Sequence, residues 1–260
     1  PEMYERVKAH LLKGGKILTS GKSALMEHSG NFPEEWGVDY KAETAFTPAY
    51  FRTKVPGIHV NMDLSFYGKA YEVEARSASN VPSVLVRPAV NNGWDGVYPE
   101  YYNPPSEETT LPFLTLSNGN LAHFSGEIFK GYDLKAAVPV RDLVKYALDS
   151  IQFKPLIRLE KAPFFIKAYV GKDEEQKRVM VSFLSCLPEK RGLEMESCEG
   201  DLPSGIFQLC LKTDQDPVKV YMAQDEANAL PFYRDGEYLC VQIPGVTGFG
   251  MAVFEFGSGK

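Results

Sequence analysis

The sequence predicts an α/β domain over residues 1–152, followed by an all-β domain, an antiparallel β-sandwich, over residues 153–260. Three observations carry this expectation. The chain opens with a helix, a glycine stop and a short apolar strand, which is one αβ step of a parallel sheet. A second amphipathic helix closes the first region. Beyond Phe153 the apolar period changes to two and no helix is convincing.

In the opening helix Met3, Tyr4, Val7, Leu11 and Leu12 share one face. Pro1 and two early acidic residues suit its start, and Gly14-Gly15 suits its stop. Lys16-Ile17-Leu18-Thr19-Ser20-Gly21 then reads as a short buried strand. A lone αβ step cannot build a parallel sheet, so the chain is expected to begin in mid-domain. Residues 22–56 read as loops, punctuated by Gly30, Pro33, Gly37, Pro48 and Pro56. Strands are expected at Ile58–Asn61, Tyr67–Ala75 and Ser83–Arg87, then an irregular stretch from Asn91 to Pro105. Asn118-Gly119 marks a hairpin between Leu111–Leu116 and Leu121–Phe124. Val140–Ile151 is the closing helix, with Leu143, Val144, Ala147, Leu148 and Ile151 along its apolar face. After a boundary near Gln152-Phe153-Lys154-Pro155, seven or eight short strands follow, with Asp235-Gly236 as one tight turn. That density of strands indicates a sandwich.

Composition excludes several classes. The 28 basic residues stand against 34 acidic ones, a net charge of -6, and no basic stripe offers itself to a nucleic-acid backbone. No apolar run approaches the roughly 18 residues of a membrane span. Pro1-Glu2-Met3-Tyr4 reads as a helix start rather than a signal peptide, although a mature fragment could have lost one. A soluble protein of either the cytoplasm or the periplasm fits.

The cysteines are Cys186, Cys198, Cys210 and Cys240, none in a C-x-x-C pair, so zinc has little support. Cys210 and Cys240 lie in apolar runs and are expected to be reduced, buried hydrophobes. A Cys186–Cys198 bridge is the sharper alternative and would imply an oxidising compartment.

No complete catalytic motif is present. Gly21-Lys22-Ser23 lacks the first glycine of a phosphate loop, where Lys16 stands. No G-x-S-x-G elbow occurs, and no cysteine follows the first strand. His10, His28, His59 and His123 form no metal pattern, and no cofactor is expected. His123 with Glu127 is the weakest of three hypotheses, an acid–base pair of a divergent small enzyme. Glycoside hydrolysis needs two carboxylates about 5–10 Å apart. The adjacent pairs Glu34-Glu35 and Glu107-Glu108 read as solvated loop charges, and the eight βα units of a barrel are missing.

The most informative stretch is the loop with Trp94, Asp95, Tyr98, Tyr101 and Tyr102. Flat rings suit sugar faces and protein interfaces alike. These five residues are the candidate carbohydrate-binding set, with Asn92, Glu100 and Arg87 as further polar contacts. Rings that merely cover the sheet beneath them are the structural alternative.

The order of elements resembles a known family. Tyr4–Gly21, with Gly14-Gly15-Lys16-Ile17-Leu18-Thr19-Ser20-Gly21, resembles the amidotransferase-like trimerisation domain of β-galactosidases. Asn120–Phe129 with Tyr132 resembles the strand near that domain's end, and Arg141–Ile151 its closing helix. Pro155–Val170, Lys177–Phe183 and Glu237–Phe256 look like the small β-domain that ends α-L-fucosidase-like and β-galactosidase-like enzymes. The resemblance implies a truncated amidotransferase-like, flavodoxin-like α/β domain, although the several strands that precede its first helix in the family are absent here. It implies a non-catalytic accessory and oligomerisation region of a glycoside hydrolase in carbohydrate metabolism. Its partners would be the catalytic barrel domain of the parent chain and further copies in a homo-oligomer. A stand-alone carbohydrate-binding or scaffold module is the alternative.

Overall fold

The computed structural model describes residues 2–46, 48–59, 62–90, 103–190, 195–198 and 200–257. The chain divides into two compact units, Pro1–Phe153 and Lys154–Lys260.

In the first unit the helix α1 (Glu2–Leu12) is followed by β1 (Ile17–Ser20), β2 (Val38–Glu43), β3 (Ala49–Thr53), β4 (Asp63–Phe66), β5 (Tyr71–Ala75), β6 (Asn80–Pro88), β7 (Pro105–Ser117) and β8 (Leu121–Phe124). The helices α2 (Ile128–Lys135) and α3 (Val138–Ser150) complete it. Six strands form one sheet in the order β1-β8-β7-β6-β3-β4, and β2 pairs with β5 in a second, two-stranded one.

The α/β class expected for this region is wrong. Strands dominate both units, so the protein is mainly all-β, with no flavodoxin-like layer. Only β1 and β8 run parallel, Ile17 beside Leu121 and Ser20 beside Phe124; every other pair in that sheet is antiparallel. Helix, glycine stop and apolar strand are the same local signal whichever sheet the strand joins. Here β1 joins the edge of an antiparallel sheet, next to a strand a hundred residues away. The loop-rich reading of 22–56 was also mistaken, since β2 and β3 lie there. Glu107 and Glu108, read as loop charges, belong to the long strand β7.

The core of this unit is aromatic. Phe113 stacks on Phe51 with centroids 4.6 Å apart and meets Phe66 edge-on at 5.0 Å. A fully buried ring of this kind contributes roughly 2–3 kcal/mol. Phe66 fits because three glycines enclose it. A Cβ on Gly68, Gly126 or Gly131 would come within 2.7, 2.6 or 2.5 Å of its ring. Val140, Leu143 and Ala147 of α3, spaced at three and four residues, pack into the same cluster. Pro139 in the first turn fixes the helix start. A second cluster gathers Leu11, Phe32, Trp36, Val38, Val73 and Leu121.

In the second unit the strands are β9 (Ile157–Glu160), β10 (Ile166–Asp173), β11 (Arg178–Ser185), β12 (Glu189–Lys190), β13 (Glu196–Ser197), β14 (Phe207–Lys212), β15 (Lys219–Met222), β16 (Asp225–Ala229), β17 (Phe232–Asp235), β18 (Tyr238–Ile243) and β19 (Gly248–Glu255). Two antiparallel sheets, β10-β11-β19-β15-β16 and β17-β18-β14-β9, share one apolar core. Phe183 of β11 meets Phe207 of β14 edge-on at 5.2 Å between them.

The expectation that Cys210 and Cys240 are free thiols is also wrong: they form a disulfide. They stand directly opposite each other on β14 and β18. Alternation explains the error. Leu209 and Leu211 on β14, and Leu239 and Val241 on β18, face the core, so both cysteines point to the other face. They are buried there as well, beside Tyr238, whose ring lies 4.0 Å from the Arg158 guanidinium. Burial was read correctly from the apolar runs, but the register that joins the sulfurs was not.

Candidate functional site

Trp94, Asp95, Tyr98, Tyr101 and Tyr102 lie outside the described residues, as do Asn92 and Glu100. The stem that carries them is described. It is the far end of the β6–β7 hairpin, where the two strands are tied by a reciprocal pair. The Val90 amide donates to Asn103 Oδ1 at 3.2 Å, while Asn103 Nδ2 donates to the Val90 carbonyl. Ala89 N–H bonds to the Pro104 carbonyl at 2.9 Å, and the Tyr50 hydroxyl donates to the Asn103 carbonyl. Beside this stem a groove of about 280 Å³ is lined by Phe46, Glu72, Arg87 and Val90. Arg87 thus borders the loop, as its sequence position required.

A larger groove, about 910 Å³, runs beneath α1. The helix contributes Met3, Tyr4 and Val7, β1 contributes Thr19, and the short turn Glu34–Trp36 contributes its tryptophan. No sequence feature was assigned to this groove. Its polar anchor is a chain of three residues. Trp36 Nε1 can only donate, and it donates to Thr19 Oγ1 at 3.0 Å. Thr19 Oγ1 also exchanges a hydrogen bond with His123 Nδ1 at 3.0 Å. The imidazole packs against Phe32, with centroids 4.7 Å apart. Its second nitrogen, Nε2, is buried with no partner among the described residues. Burial pushes the His123 pKa down to about 3, so the ring is neutral near neutrality. Rows of polar residues inside apolar strands, Thr19 and His123, were the only signal that could have pointed here.

The rim of this groove is charged. Glu35 accepts from the Tyr4 hydroxyl at 3.1 Å and pairs with Lys8 at 3.5 Å. Burial alone would raise the Glu35 carboxyl, but its own backbone amide, Tyr4 and Lys8 together hold it below the usual range. On the main sheet rather than at this groove, Glu108 of β7 bonds Arg52 of β3 at 2.7 Å, and Arg52 also holds Asp63 of β4 through two nitrogens at 2.8 and 2.9 Å. The pairs Glu34-Glu35 and Glu107-Glu108 therefore each have a member committed to a structural partner.

His123 and Glu127 are not brought together. Glu127 accepts from the Tyr71 hydroxyl at 2.8 Å and lies 3.7 Å from Lys130, whereas His123 is enclosed and bonded to Thr19. Burial, then Glu127, raises the Tyr71 hydroxyl well above its ordinary range. An acid–base pair needs a shared, accessible proton path, and this geometry has none. Among the described residues no three metal-ligating side chains gather, and no helix is long and apolar enough to cross a membrane. The grooves can hold a ligand; they present no paired carboxylates to one.

Across 98% of its length the chain superposes on 39% of α-L-fucosidase isoenzyme 2 from Paenibacillus thiaminolyticus, with a TM-score of 0.85 at 21% identity. It shares its fold with a section of that fucosidase. A looser likeness, TM-score 0.52 at 12% identity, relates 98% of the chain to 31% of a β-galactosidase from Bacillus circulans sp. alkalophilus. The chain therefore spans well under half of either protein. No family model and no curated protein matches it.

Proposed function

We propose that this chain is a non-catalytic accessory region of a glycoside hydrolase, in which a separate barrel domain carries the two catalytic carboxylates. The observation that carries the reading is the fold shared with the α-L-fucosidase along nearly the whole chain. The two grooves are compatible with it: the one beneath α1 is lined mainly by apolar side chains, and neither has a pair of carboxylates in its lining. Met3 and Leu12, each 79% exposed on α1, suit contact with another domain or a second copy. The aromatic set Trp94, Asp95, Tyr98, Tyr101 and Tyr102 is the sugar-contacting element in this reading. The tied stem at Val90 and Asn103 favours it, because a ligand loop needs a fixed base.

The test is a panel of aryl glycosides, including α-L-fucosides and β-galactosides, offered to the purified chain. No turnover is expected. Turnover that vanishes when one of this chain's own carboxylates is replaced would overturn the proposal. Calorimetric titration with oligosaccharides addresses the loop. A measurable affinity should fall when Trp94→Ala and Tyr98→Ala are combined, by roughly 1–3 kcal/mol at 0.5–1.5 kcal/mol per ring.

A further inference from the structure

One face of the second unit is apolar where its fold alone would make it polar. In the sheet β10-β11-β19-β15-β16, Val181 and Phe183 of β11 and Ala252 and Phe254 of β19 belong to the core between the sheets. The residues alternating with them therefore point outward. An antiparallel sheet covered on one side normally turns polar residues to the water on the other. Here the register places Leu184 beside Phe249, Ser182 between Tyr169 and Met251, and Met180 beside Val253. Tyr169, Phe249 and Leu184 are 60%, 57% and 37% exposed. Apolar side chains that run across several strands of an exposed face mark an interaction surface.

The row beyond these residues points to the partner. On the same face Asp173, Arg178, Glu255 and Lys219 stand side by side on β10, β11, β19 and β15. Their signs alternate. Arg178 and Glu255, in the middle, pair at 3.1 Å. Asp173 and Lys219, at the two ends, have no ion-pair partner among the described residues. Asp173 accepts from the Gln176 amide at 3.0 Å, and Lys219 lies over the Tyr221 ring at 4.9 Å. Three strand spacings separate them, about 14 Å at roughly 4.8 Å each, so one chain cannot pair them.

We propose that this face binds a second copy of the chain, through a contact whose two-fold axis runs along the strands between β11 and β19. Rotation about that axis keeps each row at its own level and reverses its order. Apolar rows then cover apolar rows, and the charged row meets its own reverse. Asp173 of each copy faces Lys219 of the other, and Arg178 faces Glu255. An axis across the strands would instead lay the charged row on Leu184 and Phe249, so the charges set the orientation as well. Aligned sheets pack about 10 Å apart and within roughly 30° of parallel, a gap that long side chains at the rim can span. A two-fold interface must be complementary to itself. That property favours a second copy over a glycan or a foreign protein. The inference does not rest on the glycosidase reading.

Sedimentation equilibrium of the full chain, over a concentration series at low salt, reads the contact. The wild type should fit a monomer–dimer equilibrium. Phe249→Glu, at an exposed ring outside the core, should weaken it. Asp173→Lys and Lys219→Asp place like charges across the axis, and each alone should weaken the dimer at least about tenfold. Circular dichroism matching the wild type shows that each variant still folds. The decisive sample mixes Asp173→Lys with Lys219→Asp. In that mixed pair both end contacts regain opposite charges, so the dimer should return to near the wild-type affinity. A wild type that stays monomeric throughout would overturn the proposal and leave the face to a glycan or another protein. So would a dimer that survives Phe249→Glu, which would be held elsewhere, or a mixture no tighter than its two components.

Discussion

The two units differ in what they bury besides hydrocarbon. In the first, Thr115 and His123 face each other across β7 and β8, and buried polar atoms on Thr115, His123 and Ser125 lack partners among the described residues. In the second, the core between the two sheets is apolar, the buried polar atoms without partners among the described residues are the Nε atoms of Arg158 and Arg178, and the disulfide Cys210–Cys240 lies on the outer face of one sheet. An enclosed neutral imidazole makes stability depend on proton concentration. A buried cross-strand disulfide makes it depend on redox state. The units should therefore fail under different conditions, and three experiments can break that contrast or sharpen it.

The largest effect is expected from the disulfide. Cys210 and Cys240 are separated by 30 residues, and closing a loop of that size stabilises the folded state by about 3–4 kcal/mol in the chain-entropy account. Combining Cys210→Ala with Cys240→Ala should lower the hydrogen-exchange protection of amides in β14 and β18 by about that amount. Protection in β8 should not move. Equal losses in both units would show that the disulfide does not act on its own unit, and the contrast would collapse.

Protons should act on the first unit, and the sign follows from His123. Its folded pKa lies near 3, below the ordinary 6.5, so the unfolded chain binds the extra proton in between. The stability it contributes is complete above about pH 6.5 and is lost as pH falls toward 3, at about 1.4 kcal/mol per pH unit. From pH 7 to pH 5 the loss should reach roughly 2 kcal/mol, read from denaturant midpoints followed by exchange in β8. Carboxylates held low by partners exist in both units: Asp39 by Arg76, although burial opposes it, and Glu237 by Lys154. Their contribution is lost only below their unfolded values, under about pH 4.5, so the window from 7 to 5 isolates the imidazole. His123→Asn, which keeps an amide near the Nδ1 position, should flatten that window. An unchanged slope in this variant would remove His123 as its cause.

The same contrast explains how much was legible in the sequence. In the second unit half of the strand pairs are consecutive, β10 with β11 and β17 with β18 among them, and a period of two, as in Phe207-Gln208-Leu209-Cys210-Leu211, locates the strands one by one even where their partners, such as β19 for β11, are remote. In the first unit the decisive pairings are remote: Ile17 with Leu121 and Val38 with Ala75. Local pattern found β1 and β8 but could not say that they are neighbours. The same distance hid the site. Trp36, Thr19 and His123 are hydrogen-bonded across 17 and 104 positions, and no spacing encodes that. Two polar residues in apolar strands were visible, and burial turns them into one feature. The cysteines show both sides of this. Their burial followed from composition, whereas their bond followed from a register that no single strand reveals.

The smallest effect is expected where the two units are alike. Each has a tight hairpin that turns on a left-handed glycine: Gly119 with φ +68 between β7 and β8, and Gly236 with φ +59 between β17 and β18. Neither has a heavy atom within 4 Å of an added Cβ, so substitution meets no packing clash. The cost of Gly119→Ala or Gly236→Ala is then conformational, about 1 kcal/mol for forcing an L-residue into the left-handed region. Similar losses in denaturant midpoint are expected for both. The one asymmetry is Asn118, itself at φ +54, whose side-chain amide donates to the Glu35 carbonyl at 3.2 Å. That bond ties the first turn to the segment bearing Trp36, the donor at the start of the Thr19–His123 chain. If Gly119→Ala costs clearly more than Gly236→Ala, and the excess vanishes once Asn118→Gly has cut that tie, the turn is supporting the buried histidine as well as reversing the chain. Equal costs would confine the difference between the units to the groups they bury.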